Sequence, residues 1–405
     1  MAGHAVAPGA TAVARGAPAA GEDGGVLSWT VHTVQVQLAE PYPIIIGHGA
    51  MARAGGLARR HLRAGGQAFV ITSPTVRRHC LAPLTACLQR AGIAARVVLM
   101  PDGEPAKTMA TAARLAEELA RAGADRGALI IALGGGVVGD VAGFVAAIYM
   151  RGVPVLQAPT TLVAMLDSAI GGKTGVNLRA GKNLVGAFHQ PRAVIADLDL
   201  LASLPDRQYR SGLAEALKCG VIADARLFRR MERETAELRR RAPGPLEAAV
   251  TGAAAIKARV VAADEREGGL RRILNFGHTL GHALESATRY RHFLHGEAVG
   301  WGMIAAARLA AKCGRLPGAE AKRIEHATLA LLAPLPPIRV AAAPVLRHAR
   351  RDKKNAGGLL HFVLPTGIGR AEILAGPPPE AVREALEETM ALSRSGEASG
   401  RARPR

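Results

Sequence analysis

Apolar residues alternate with polar ones at Val34, Val36 and Leu38, the period-two pattern of a half-buried strand, and residues 43–46 supply a partner. Strands and helices then take turns. Residues 67–72, 95–100, 128–133, 153–157 and 193–195 are short apolar runs that predict strands. Between them, 80–91, 107–122 and 137–150 carry helical periodicity, with Ala112, Leu115, Leu119 and Ala122 on one face of the second. This alternation predicts an α/β fold, a mostly parallel sheet covered on both faces. The pattern changes near Leu204. From Tyr209 to about Ala333 only helical spacing remains, followed by a short strand at 359–364 and a last helix at 379–392 that opens on a proline. The expected organisation is an α/β domain over 29–204 and a helical domain over 205–392, with the active site in the cleft between them. Residues 1–28 and 393–405 are expected to be disordered tails.

Composition narrows the function. The chain has 405 residues, 49% hydrophobic but only 3% aromatic, so its cores must rest on Ala, Val, Leu and Ile. The formal charge is +19 and the pI about 10.8. Nucleic acid, an anionic membrane or an anionic small substrate could each account for that excess. No basic arm interleaved with aromatics is present, so nucleic acid is not expected as a partner. Arg239, Arg240 and Arg241 read as a solvated helix end. The four cysteines lack CxxC spacing, which suits reduced thiols in a cytoplasmic protein. The Ala/Gly/Pro-rich start lacks the layout of a signal peptide. The apolar stretch 128–150 is interrupted by three glycines and Asp140, so a strand, a turn and a helix explain it better than a membrane span.

Three constellations carry chemistry. Gly134, Gly136 and Gly139 satisfy G-x-G-x-x-G between a predicted strand and a predicted helix, where a diphosphate can approach the backbone and the helix N-terminus. The motif follows a late strand, and no acid ends a strand about 20 residues on as in the ordinary Rossmann fingerprint. A tight turn without a ligand would look similar. Asp140, beside the glycines, would have to bind a sugar hydroxyl or help hold a cation. Next, a polar run from Pro159 to Asn183 places Thr160, Thr161, Asp167, Lys173, Lys182 and Asn183 on glycine-rich loops suited to binding phosphate or carboxylate. It is no P-loop, because Asp167 stands where that motif needs glycine. Last, His278 and His282 lie at i, i+4 on one helix face, with His295 downstream and Glu215 upstream in a largely apolar helix. Two imidazoles and a carboxylate form a catalytic Zn²⁺ set with open positions, although any one of them could be an ordinary buried or surface side chain. Glu267, Arg271, Arg272 and the run 351–355 could be solvated charge.

Taken together, these segments resemble the 3-dehydroquinate synthases, sugar-phosphate cyclases. The resemblance runs from about Pro101 to Pro365. It includes Pro101-Asp102-Gly103-Glu104, Lys107-Thr108, the turn 134–140, Tyr149-Met150-Arg151-Gly152, 159–183, Glu215 and Lys218, 275–282, 294–298 and Asp352-Lys353-Lys354. It implies a Rossmann-like N-terminal domain and an all-helical C-terminal metal and substrate domain. Glu215, His278 and His295 would hold one divalent cation, Zn or Co. Glu104, Lys107, Gly134, Gly135, Gly136, Val137, Asp140, Thr160, Thr161, Asp167, Lys173, Lys182 and Asn183 would line an NAD site. Arg151, Lys173, Lys182, Asn183, Lys218, Lys257, Arg271, Asn275, His282 and Lys353 would contact the substrate. His282, Lys173, Arg151, Asn275 and Glu267 would serve catalysis. Ser73 stands where the family has Asp or Asn facing the adenosine ribose. The implied substrate is a phosphorylated sugar acid, 3-deoxy-D-arabino-heptulosonate 7-phosphate. It would be closed to 3-dehydroquinate by transient oxidation with NAD, β-elimination of phosphate, reduction, ring opening and aldol closure, in the shikimate pathway. The implied enzyme is a cytoplasmic lyase and a homodimer. Related cyclases and polyol dehydrogenases share this architecture. The set Arg151, Lys257, Arg271 and Asn275 favours the heptulosonate.

Overall fold

The computed structural model describes residues 13–15, 30–351 and 360–395. The chain forms two compact units. One takes the described residues up to Pro205 together with Lys257–Arg266, and the other takes Asp206–Ile256 and the described residues from Glu267 on.

The first unit contains strands β1 (Val13–Arg15), β2 (His32–Val36), β3 (Tyr42–Gly47), β4 (Ala68–Thr72), β5 (Ala95–Leu99), β6 (Leu129–Gly134), β7 (Val155–Pro159), β8 (Lys173–Leu178), β9 (Gly181–Phe188) and β10 (Ala193–Asp197). Eight of them form one sheet in the order β1-β2-β3-β10-β7-β6-β4-β5. From β3 to β5 every pairing is parallel, and β1 and β2 add antiparallel strands at one edge. Strands β4, β6, β7 and β10 are buried along their whole length, as a parallel sheet covered on both faces requires. Their side chains divide by parity. Val70, Ile131, Leu133, Leu156 and Ile195 pack under α1 (Ala54–His61) and α2 (Pro74–Arg90). Phe69, Ile71, Ile130, Ala132 and Val155 pack under α3 (Met109–Arg121) and α4 (Gly136–Ile148). Chain order runs outward in both directions from β4, so the carboxyl ends of β4 and β6 form a topological switch point, where such sheets bind ligands.

Three expectations need correction. The second half of the polar run is not loop: Lys173, Lys182 and Asn183 lie on β8 and β9, which form an antiparallel ribbon. Gly175 and Gly186 face one another there, and a Cβ on either would come within 2.6 Å or 2.1 Å of the opposite backbone. These glycines permit close strand approach rather than a turn. The N-terminal tail contributes a strand, β1, paired to β2 through Val13↔Val34. Helix α2 begins six residues before its predicted start, with Ser73 extended and Pro74 at the first helical position.

The second unit is helical: α5 (Asp206–Ala223), α6 (Ala225–Arg233), α7 (Thr235–Arg239), α8 (Pro243–Ala263), α9 (His278–Ala287), α10 (His295–Lys312), α11 (Gly318–Leu332), α12 (Ala342–Arg351) and α13 (Pro379–Arg394). From Lys257 on, α8 groups with the first unit. The predicted strand near 359–364 is β11 (His361–Gly367), half of an antiparallel ribbon with β12 (Arg370–Ala375), and α13 runs two residues past its expected end. Glycines let α9 and α10 meet backbone to backbone. Gly277 is left-handed at φ +78°, and a Cβ on Gly302 would sit 1.9 Å from its carbonyl oxygen.

Candidate active site

In the first unit, the glycine run is the whole connection between β6, ending at Gly134, and α4, starting at Gly136. Gly135 offers α4 no side-chain cap, so its first N–H groups and dipole suit an anion such as a diphosphate. A Cβ on Gly135 would approach the Thr161 methyl at 3.0 Å, and one on Gly136 the Ser168 hydroxyl at 2.9 Å. The loop after β7 therefore packs directly on this turn. Thr160 donates its N–H to the Gly134 carbonyl at 2.9 Å, and the Thr161 hydroxyl accepts from the Ala164 N–H at 3.3 Å. Val137 is half-buried in the first turn of α4. These features fit NAD, with its diphosphate at the turn.

Asp140 accepts from the Lys107 ammonium, which also donates to Asn183. Asn177, which the sequence reading missed, completes the group. It donates to Glu104 at 2.8 Å, its side-chain oxygen accepts from the Asn183 N–H at 2.9 Å, and Lys182 lies 3.5 Å from Glu104. Burial raises the Asp140 carboxyl to about 6 against the pull of Lys107. The native state thus holds a proton that the unfolded chain, near 3.8, has released. The sign follows: stability from this group is lost as pH rises from about 4 to about 6. Asp140→Asn should therefore gain stability relative to the parent across that window. Denaturant unfolding of both proteins at pH 4 and pH 7 measures it, and a constant difference would refute it.

Asp167 sits on the π-type turn Ala164–Ser168, a geometry enriched at functional sites. Lys257, expected at the substrate, donates to both the carbonyl and the carboxylate of Asp167. Arg151 and Lys173 are exposed, and Met150 and Arg151 both have left-handed backbone, at φ 50° and 65°. Ser73 is buried and, with Thr75, hydrogen-bonds Asp102. Burial works to raise the Asp102 carboxyl, but these bonds lower it overall.

In the second unit, α5, α9 and α10 converge on one polar cluster. Glu215 is 1% exposed, and Lys218, one turn on, donates to its Oε2. The other oxygen, Oε1, faces Nε2 of His278 at 3.7 Å and Nε2 of His295 at 3.4 Å. The ring centroids of His278 and His282 are 5.2 Å apart, as are those of His278 and His295, and those of His282 and His295 are 5.7 Å apart. One nitrogen from each of the three histidines lies within 4.8 Å of the others, so His282 is a geometrical alternative to Glu215 as a ligand.

The donor chemistry fits a divalent cation. His278 Nδ1 lies 3.0 Å from the Phe276 carbonyl, which can only accept, so Nδ1 carries the proton. Burial, then the charge of Lys218, pushes this imidazole well below its ordinary pKa. Its Nε2 is therefore a lone pair facing a carboxylate oxygen, a pair of donors that suits a cation. His295 Nδ1 is 3.4 Å from Glu285, a carboxylate–histidine arrangement common behind metal ligands. Burial opposes charge on His295, but Glu215 and Glu285 outweigh it and raise its pKa to about 10, so this pocket attracts positive charge. Glu285 was not anticipated, although it lies seven residues after His278 in a mainly apolar helix, where a carboxylate is a signal.

Of the remaining expected residues, Asn275 donates to Glu267 at 3.4 Å, with Glu267 left-handed at φ 60°. Arg271 is buried at 2% exposure in the turn Leu270–Asn275. Lys353 lies outside the described residues, as do Asp352 and Lys354.

One unit carries a parallel sheet with a glycine turn and the other a helical histidine–carboxylate cluster, and the fold is that of the sugar-phosphate cyclases. A solved 2-deoxy-scyllo-inosose synthase, complexed with carbaglucose-6-phosphate, NAD⁺ and Co²⁺, superposes with a TM-score of 0.81. It is 26% identical, over 88% of this chain and 99% of that one. A 2-epi-5-epi-valiolone synthase from Streptomyces hygroscopicus subsp. jinggangensis 5008, with NAD⁺ and Zn²⁺ bound, gives 0.79 at 30% identity, over 88% and 98%. The chain belongs to the 3-dehydroquinate synthase family: the family's N-terminal model matches residues 97–211 and its C-terminal model residues 212–355. The 3-dehydroquinate synthase of Koribacter versatilis (strain Ellin345) is 51% identical over 352 residues, 87% of this chain and 96% of the relative.

Proposed function

We propose that this chain converts 3-deoxy-D-arabino-heptulosonate 7-phosphate to 3-dehydroquinate and phosphate. The observation that carries the reading is the convergence of Nε2 of His278 and of His295 on Oε1 of Glu215, within a chain of this family. Glu215, His278 and His295 are the ligand set, leaving positions for substrate oxygens. When bound, the cation would supply Lewis acidity at the substrate's oxygens and NAD a reversible hydride acceptor.

The chain's own residues do the rest. Lys218 neutralises the outer oxygen of Glu215 and holds that carboxylate in one orientation. Glu285 and the Phe276 carbonyl fix the rings of His295 and His278. His282 is the proton carrier beside the ligands. Arg151, Lys173, Lys182, Arg271 and Lys353 serve the substrate's phosphate and carboxylate as charge partners, Asn183 and Asn275 as neutral hydrogen-bonding groups, and Glu267, which accepts from Asn275, supports the phosphate and proton-transfer region. Much of the rate enhancement then comes from holding one flexible substrate in a reactive pose. Lys257 acts one step back, by fixing Asp167 at the nucleotide.

NAD is restored within each turnover, so sub-stoichiometric NAD should support many turnovers. The test mixes protein, Co²⁺ or Zn²⁺, the heptulosonate phosphate and one-tenth of an equivalent of NAD, and follows phosphate release beside absorbance of the reduced nicotinamide. Phosphate well beyond the NAD supplied, with no reduced cofactor accumulating, is the expected result. Reduced cofactor rising in step with product would identify a dehydrogenase.

No described helix is long and apolar enough to cross a membrane. A cytoplasmic homodimer completes the reading. None of the four cysteines is in a disulfide, which supports a reducing compartment. Light scattering at about twice the chain mass of 42.0 kDa is the expected solution behaviour.

A further inference from the structure

Helix α5 and the start of α10 meet through a ladder with three rungs. Arg207, Ser211 and Glu215 are spaced four residues apart, so they lie on one face of α5. They meet three consecutive residues of α10 in reverse order. Glu215 faces His295 at 3.4 Å. The Ser211 hydroxyl accepts from the Gly296 N–H at 2.9 Å. Arg207 forks onto Glu297, with Nε to Oε1 at 2.7 Å and Nη2 to Oε2 at 2.8 Å. The middle rung admits only glycine, because a Cβ on Gly296 would lie 1.8 Å from the Ser211 carbonyl oxygen.

The last rung also fixes the backbone that carries His295. Glu297 Oε2 accepts from the Leu294 N–H at 2.8 Å, one arm of a capping box, so the first turn of α10 is closed around His295. Arg207 Nη2 donates to the His292 carbonyl at 2.9 Å, pinning the approach to that turn. Glu297 is 4% exposed and its partner is bidentate, the geometry in which an ion pair fixes orientation. No rung beyond the first offers a ligand atom to the histidine cluster.

We propose that Arg207 and Glu297, with Ser211 between them and Glu215, are positioning residues that set the separation of Glu215 and His295 and so tune the metal site. This inference rests on the ligand reading given under Proposed function. Without the Arg207 fork, the ladder between α5 and the His295 turn keeps the neutral Ser211–Gly296 hydrogen bond and the Glu215–His295 contact itself. Two ligands on separate helices then reach the cation only after rearrangement, which weakens binding. Partners behind a ligand commonly contribute 10–100-fold to metal affinity, and for this more remote pair about tenfold is expected.

The experiment titrates the chelated, metal-free protein with Co²⁺. It reads the dissociation constant by competition with a chelator and the ligand field by the visible Co²⁺ absorption band. Arg207→Ala should bind about tenfold more weakly, with a shifted band, and Arg207→Lys should recover part of both. Arg323→Ala serves as the control. It removes another bidentate pair, with Glu232, that touches no rung, and should leave affinity and band unchanged. A merely structural role for Arg207 would lower the unfolding temperature but leave affinity and band at the parent values, and that result overturns the proposal. If Arg207→Ala does not fold, Ser211→Ala and Glu297→Gln decide by the same two readouts, and parent values in both overturn it. His278→Ala separates the two readings. If it binds Co²⁺ as the parent does, or if the parent binds none, the ligand assignment falls and takes the ladder with it. Loss of Co²⁺ in His278→Ala beside an unchanged Arg207→Ala refutes the ladder alone.

Discussion

His278→Ala is expected to lose its divalent cation, and turnover should fall by roughly 10³-fold or more, since a Lewis acid supplies several kcal/mol at the transition state. The fixed geometry of this ring is the reason. Its Nδ1 is held by the Phe276 carbonyl and its Nε2 is aimed at Oε1 of Glu215. On the proposed ligand set, alanine leaves Glu215 and His295 as two ligands, which rarely hold zinc against water. Glu215 itself is a poorer position to probe. It and Lys218 are both nearly inaccessible, and removing one partner of such a pair costs roughly 3–5 kcal/mol of folding stability. Elemental analysis after dialysis, beside phosphate release, makes the measurement. Full metal occupancy in the alanine protein would overturn the ligand set.

His282→Ala is expected to keep its metal and its affinity for NAD while phosphate release falls by about 10²–10⁴-fold, the usual contribution of a positioned acid–base group. His282 is one turn beyond His278 on the same face of α9, and its ring lies 5.7 Å from that of His295. The three histidines alone could surround an ion, so the assignment needs an argument. Glu215 provides it. Its Oε1 lies 3.7 Å from Nε2 of His278 and 3.4 Å from Nε2 of His295, so these three side chains are the proposed ligand set. On that proposal His282 moves protons beside the open positions. Metal lost with His282 would make it a ligand instead. An unchanged rate with metal in place would mean that it only packs against its neighbours.

Much of this was readable in the chain, for identifiable reasons. The β6–α4 connection announced itself because an apolar run, three glycines and a helical period follow one another without interruption. His278 and His282 share a face because four residues is nearly one helical turn. What stayed hidden depends on contacts between distant positions. Arg207 meets Glu297 across 90 residues, Ser211 meets Gly296 across 85, and Lys257 meets Asp167 across 90. Each of these residues, taken alone, reads as ordinary solvated charge or a common helix position. The β8–β9 ribbon was missed for a different reason. Gly175 looked like a loop residue, yet it and Gly186 are there because two strands approach too closely for any side chain.

The glycines of α10 limit how this protein could be made hardier. Exchanging a helical glycine for alanine is among the simplest routes to thermal robustness, worth about 1 kcal/mol where the site is roomy. Gly56 in α1 is such a site, with open space where a methyl group would go. Gly296 and Gly302 are the opposite, because their Cα atoms rest on the carbonyl oxygens of Ser211 and Gly277. Helix α10 is thus locally weaker than its length suggests, and that weakness is inseparable from the close approach of α5, α9 and α10. An engineer seeking a heat-tolerant catalyst should leave this helix alone and work on the outer faces of the molecule.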